Sequence, residues 1–573
     1  MKRLTLMLAF VLGILTVNGQ DFLKKSKVSG SFEINTQYYM ADEGIGITDS
    51  IINGKEFGIN GYGQIQYTLG DFTAGFRFES FQPPLSGFRE ELEGSGIANY
   101  FATYDNGTIG ITIGDIYDQF GSGLVFRTYE EWSLGFDNSL RGMRAIYRPY
   151  TGVTFKGVYG KQRFYWASYD KSEYRGIVRG VDGEWNLNQS IGAMNATKFR
   201  LDIGGSFVSN YQSSASLDPM YYIPENVASA AGRVNVGYGR FSLTTEYAYK
   251  INNPSAINNL IYKNGEALLT SLAYSQKGLG VVLQLKRVDN MSFKSDYTAT
   301  ENDLDINFIP PINYTHTHSL PAMYSYSTQP NGEMGIQFQV NYLIPKKTLL
   351  GGKYGTKVAF NYSQVNDIIR DSISYKGNMV LNKKGTLGYS SPFFGISDKV
   401  FYRDINIEID KKINKKWSVI AQYINLIYDM PTIEGHGSTV KADIAYLDLT
   451  YKINTKNSIR MELQHLWDCI GTGYKVEIGD EKSYIKRGNW LSAMLEYSIA
   501  PKWFVSVADK YNYGNPVADF RDHYVTASAG YIKDATRITL SGGRQSEGMV
   551  CVGGVCRVVP ASSGISLTVT TAF

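Results

Sequence analysis

Few residues in this chain have the types and spacing that chemistry requires. His316 and His318 form a His-x-His pair within a Pro-rich stretch that holds Pro310, Pro311 and Pro321. Two imidazoles two residues apart can share a metal ion, but a zinc set needs a third protein ligand, and none is evident. Cys551 and Cys556 frame Val552-Gly553-Gly554-Val555. Gly-Gly allows a tight reversal, so the two can form a disulfide in an oxidising compartment, or remain separate thiols because short loops gain little from closure. Cys469, the third cysteine, is read as a free thiol. The densest charge lies between Asp115 and Arg144, where Asp118, Arg127, Glu130, Glu131, Asp137, Arg141 and Arg144 sit among glycines and aromatics without strict alternation. Such a segment either folds into a lumen as a charged constriction or lies in solvent, its ion pairs contributing little. No nucleophile elbow, phosphate loop or His-Glu-x-x-His helix occurs. The reading is therefore not an enzyme, with no catalytic residue, metal or cofactor.

The elements that position these residues are strands. Phe32 and Ile34 alternate with Glu33 and Asn35; Phe76 and Phe78 with Arg77 and Glu79; Phe199, Leu201 and Ile203 with Arg200 and Asp202. The same holds for Ile336 to Tyr342, Ile405 to Asp410 and Ile459 to Gln464. Successive side chains of a strand point to opposite faces, so each segment has one apolar and one polar face. The 59 Gly, 43 Tyr and 28 Phe suit half-exposed strands and tight turns rather than helices. A soluble sandwich seldom exceeds about 250 residues, a propeller or solenoid would show a fixed period, and here the alternation runs along the whole chain with no such period. Mean hydropathy is −0.22. The net charge of +4 is small for 573 residues and gives no argument for nucleic acid.

Compartment and architecture follow. Met1-Lys2-Arg3, the apolar run from Leu4 to Val17 and the small residues before Gln20 resemble a secretory signal peptide. Read back from the C-terminus, short turns at Asp534, Pro501, Asn454 and Asn414 alternate with long connections such as 545–563, 468–487 and 364–403. Outer-membrane barrels have short periplasmic turns and long outer loops. Trp417 and Trp503, each preceded by a Lys, begin strands just after short turns and suit a headgroup level. The chain ends Ile565-Ser566-Leu567-Thr568-Val569-Thr570-Thr571-Ala572-Phe573, with Ile565, Leu567, Val569 and Phe573 on one face. This terminus resembles the signal read by the barrel-assembly machinery, which pairs with an unpaired edge strand.

Four stretches resemble a family of large outer-membrane barrels of uncharacterised function from the Bacteroidota: Asp118 to Leu124, Tyr129-Glu130-Glu131, Tyr159 to Arg163, and Cys551 to Ala561. The resemblance implies a barrel and carries no activity with it. The reading departs from the nutrient-importer type: no plug domain is expected before the first strands, and no peptidoglycan-binding domain after the last.

The expectation is an all-β protein: a signal peptide over 1–19, a short lead over 20–27, and over 28–573 one transmembrane antiparallel β-barrel of about 24 strands with periplasmic termini. It would reside in the bacterial outer membrane, in contact with lipid and lipopolysaccharide. Its expected role is a porin-like pore for small polar solutes, narrowed by loops. The alternative is a non-conducting accessory subunit of an assembly or secretion complex, with an outer-membrane protein partner.

Overall fold

A computed structural model describes residues 26–52, 54–166, 175–213, 223–372, 388–469, 484–552 and 555–573. The proposed signal peptide and most of the lead lie outside these residues. Every alternating segment named above falls inside a strand. Twenty-four strands form one sheet, from Ser26–Tyr39 to Ser562–Ala572. Each pairs antiparallel with its neighbour, and the last strand pairs both with Thr536–Gln545 and with the first, so the sheet closes. Closure places Ile34 opposite Val569 and Thr36 opposite Leu567, and Phe573 exchanges backbone hydrogen bonds of 2.9 and 3.0 Å with Gly30. Among the described residues no helix is long and apolar enough to cross a membrane.

One end of the barrel carries both strand termini and tight connections such as 70–71, 239–240, 277–278 and 534–535. The other end carries the long ones, among them 117–139, 290–331 and 546–561. Two expected boundaries change. The connection placed at 364–403 is 369–395, because Thr356–Ile368 and Ile396–Lys412 extend beyond the sequence estimate and bulge near Asn366. The last long connection contains a hairpin, Gly548–Val552 with Val555–Val559, whose register sets Cys551 opposite Cys556. Their side chains lie outside the described set.

The two faces of the wall differ as the alternation requires. Phe76 and Phe78 are exposed while Arg77 and Glu79, which alternate with them, are buried; Ile111 and Ile113 are exposed and Thr112 buried. In a closed barrel the buried parity is the inner one, so large apolar side chains cover the outside and polar ones line the inside. Trp417 and Trp503 stand on the outer face at the tight-turn end, each packed at a tilt against a tyrosine, Tyr451 and Tyr531, with ring centroids 4.6 and 4.5 Å apart.

Candidate functional site: two straps inside the lumen

A 24-stranded barrel is too wide for its wall side chains to fill. Two of the long connections occupy the space instead, as inner straps. Their placement follows from parity. Backbone Ser122 N donates to Glu246 at 2.7 Å, and Glu246 is the buried neighbour of exposed Tyr247. Leu320 N donates to Gln464 at 3.0 Å, and Gln464 in turn reaches Ser319 at 3.0 Å. The segments 117–139 and 290–331 therefore lie against the inner wall, well below the rim.

Apolar packing holds both straps. Phe120, Leu124, Val125 and Phe126 of the first and Met291, Phe293, Ile306 and Ile309 of the second bury against inward-facing Val178, Val208, Val227 and Val288. Leu320, Met323, Tyr324 and Tyr326 pack on a second sector with Tyr402, Ile424 and Trp490. The straps also bond each other: Arg127 N to Ile306 O at 2.8 Å, Phe308 N to Gly123 O at 2.9 Å, and Asn138 to Asp305 O at 2.8 Å. Unpaired backbone groups are costly away from water, and this mutual pairing satisfies several of them.

Most of the charges of the 115–144 segment are held in ion pairs. Asp115, Arg141 and Arg144 belong to wall strands (Ile109–Ile116 and Leu140–Tyr147), not to a loop, because each continues the alternation of its strand. Arg141 meets Asp115 through two hydrogen bonds of 3.0 and 2.8 Å. Asp118 is clamped by Arg144 at 3.2 Å and Lys156 at 2.9 Å. Glu131 accepts from Ser133 and caps a short turn. Arg127 lies between the rings of Tyr129 and Phe308, 4.1 Å from each centroid.

Glu130 and Asp137 join a buried cluster with three residues the sequence did not single out as charged partners: Arg77, Glu79 and Arg163. Arg163 bonds Glu79 and Asp137, each at 2.6 Å; Arg77 bonds Glu79 at 2.7 Å and also contacts Glu130 and Asp137. Tyr117 donates to Glu130 at 2.8 Å. Burial alone would raise the Asp137 carboxyl, but Arg163 and Arg77 outweigh it and hold the group at about 2. The signal for this cluster was present: Arg77 and Glu79 share one parity, and two adjacent inward charges on one strand require partners.

The His pair resolves into separate contacts. His316 bonds Asp404 at 2.6 Å, and His318 stacks on Tyr446 at 3.6 Å; both fasten the second strap to the wall. No group of three metal-ligating side chains occurs among the described residues. Cys469 is a free, exposed thiol. Of the C-terminal residues, Ile565, Leu567 and Phe573 are exposed on the outer face.

Two cavities have charged residues in their lining. One, of about 600 Å³, lies where the straps meet connections 82–93, 429–439 and 546–561. The other, of about 690 Å³, lies toward the tight-turn end and is lined by Arg148, Glu184, Trp185 and Arg233.

Fold and site together define a closed 24-stranded antiparallel β-barrel with inward-folded straps. The chain belongs to a family described as of unknown function (DUF6029), which it matches over residues 1–573. No curated protein matches it. Among solved structures it is similar to the P pilus usher (PapC) translocation pore, with 8% identity, 95% of this chain and 99% of that one covered, and a TM-score of 0.41. It is similar at 9% identity to a ferric enterobactin receptor mutant of Pseudomonas aeruginosa, covering 96% and 81% of the two chains with a TM-score of 0.40. For OccK11 (OpdR) of Pseudomonas aeruginosa the values are 8% identity, 96% and 97% coverage and a TM-score of 0.28.

Proposed function

We propose that this protein spans the bacterial outer membrane and conducts small polar solutes through a lumen narrowed by the two straps. A closed sheet leaves no unpaired edge, which is the condition for strands to cross lipid. An outer wall carrying Ile113, Val181, Phe207 and Leu495 as exposed residues suits hydrocarbon rather than water. The observation that carries the pore reading is the position of the straps, joined to each other and held against the inner wall of the barrel, so that they narrow the lumen. Such a lumen favours small solutes and excludes large ones.

Single-channel recording of the refolded protein in planar bilayers tests this. Wild type is expected to give small, steady, ion-selective steps. Phe126→Asp places a charge in the fully buried packing of the first strap, which destabilises it by several kcal/mol. The variant is expected to give steps several-fold larger. Silence from both proteins, each correctly folded, would overturn the pore reading and favour an accessory subunit.

A further inference from the structure

The 600 Å³ cavity contains a cation without an anion. Four carboxylates border it, and each has a partner. Glu301 and Asp303 share Arg89 at 2.6 and 3.3 Å, Asp305 meets Lys294 at 2.6 Å, and Glu434 meets Lys486 at 2.8 Å. Arg557 also borders the cavity. Its Nε and Nη1 are buried and have no hydrogen-bond acceptor. The guanidinium lies 3.8 Å from the centroid of the Phe88 ring, which orients the plane but accepts none of its N–H groups in the ordinary sense. A buried, unsatisfied charged donor is costly, and the surroundings keep it in place. Gly87, at φ +81°, allows connection 82–93 to approach 546–561 so closely that a Cβ there would lie 2.9 Å from Val558 O. Burial lowers Arg557 only to about 10, so it remains charged at neutral pH.

We propose that Arg557 is the anchor of a binding site for a small organic carboxylate with an apolar or aromatic body. The guanidinium charge favours a carboxylate, which can accept a charge-assisted hydrogen bond from it. The body would rest against the apolar part of the lining, which includes Phe136, Phe308, Ile309 and Val558. The site is assembled from seven connections distant in sequence. It does not depend on conduction, since a ligand can occupy the cavity whether or not the lumen is open.

The test is isothermal titration calorimetry on the full chain folded in detergent, with empty micelles as the blank. The probes are benzoate and its neutral isostere benzamide. Wild type is expected to bind benzoate saturably and at least tenfold more tightly than benzamide. Arg557→Gln, checked for heat-modifiable mobility, is expected to lose at least tenfold in benzoate affinity, and Arg557→Lys to lose less. Equal binding of the two probes by wild type overturns the proposal, as does no benzoate binding, or undiminished benzoate binding by folded Arg557→Gln. The comparison of probes on wild type decides the matter even if the glutamine variant does not fold.

Discussion

The residues with the strongest influence here are those whose charges cancel out of water. Arg77, Glu79 and Arg163 each have side chains 3% exposed, and with Asp137 and Glu130 they bind the hairpin around 130–137 to the wall. Removing one member of such a set leaves the others uncompensated, which costs about 3–5 kcal/mol. Asp137→Ala is therefore expected to undock the hairpin while leaving the barrel intact. Trp132, stacked on Tyr62 at 4.7 Å, reports this by fluorescence; an unchanged Trp132 signal would contradict it. Acid should do the same. The Asp137 carboxyl titrates lower in the folded state, at about 2, than the ordinary value near 3.9. Its stabilisation is complete above about pH 4 and is lost as pH falls toward 2. Wild type should lose the Trp132 signal across that window, and Asp137→Ala should lack the transition.

At the scale of elements, the straps illustrate how a connection becomes an interior. Segment 117–139 turns at Gly121, in the left-handed region at φ +55°, where a Cβ would lie 2.6 Å from a Glu246 carboxylate oxygen. Only glycine adopts this conformation without penalty while letting Ser122 N reach the same carboxylate. Gly121→Val is expected to lose that anchor, at about 1–2 kcal/mol for the backbone alone. In mild trypsin digestion the variant should be cut after Arg127 faster than wild type, with heat-modifiable mobility retained. Equal cutting rates would mean that the apolar packing alone holds the strap. In the second strap, 290–331, the His pair and its neighbouring prolines say nothing of an inward fold. Met291, Phe293, Ile306 and Ile309 were the legible sign of its burial, since a solvated loop has no use for so many apolar side chains.

At the scale of the whole molecule, closure decides stability. The last strand satisfies two edges at once, along Ser31–Tyr39 and Arg537–Gln545. Removal of 564–573 would expose both ladders to lipid or water, and each unsatisfied backbone group in a bilayer costs several kcal/mol. The truncated chain is expected to show no heat-modifiable species after refolding into lipid vesicles. A folded, heat-modifiable truncation would show that Thr536–Gln545 and Ser26–Tyr39 can close without it.

What the sequence determined by itself was everything that depends on local periodicity. Alternation over Phe76–Glu79 or Ile405–Asp410 sets which side chains share a face, and tight turns such as Lys533-Asp534 join adjacent strands, so an antiparallel barrel of about 24 strands was legible. The charged residues of 115–144 were legible as a charged group, but not their partners. Arg144 meets Asp118, and Glu130 meets Arg77, only because closure brings separate strands and a folded-in strap to one place. The same holds for Arg557 beside Phe88, which lie on connections far apart in the chain. Periodicity is a property of neighbours along the backbone. Whether a long connection extends outward or packs into a lumen depends on the size and lining of that lumen, which exist only once the sheet has closed.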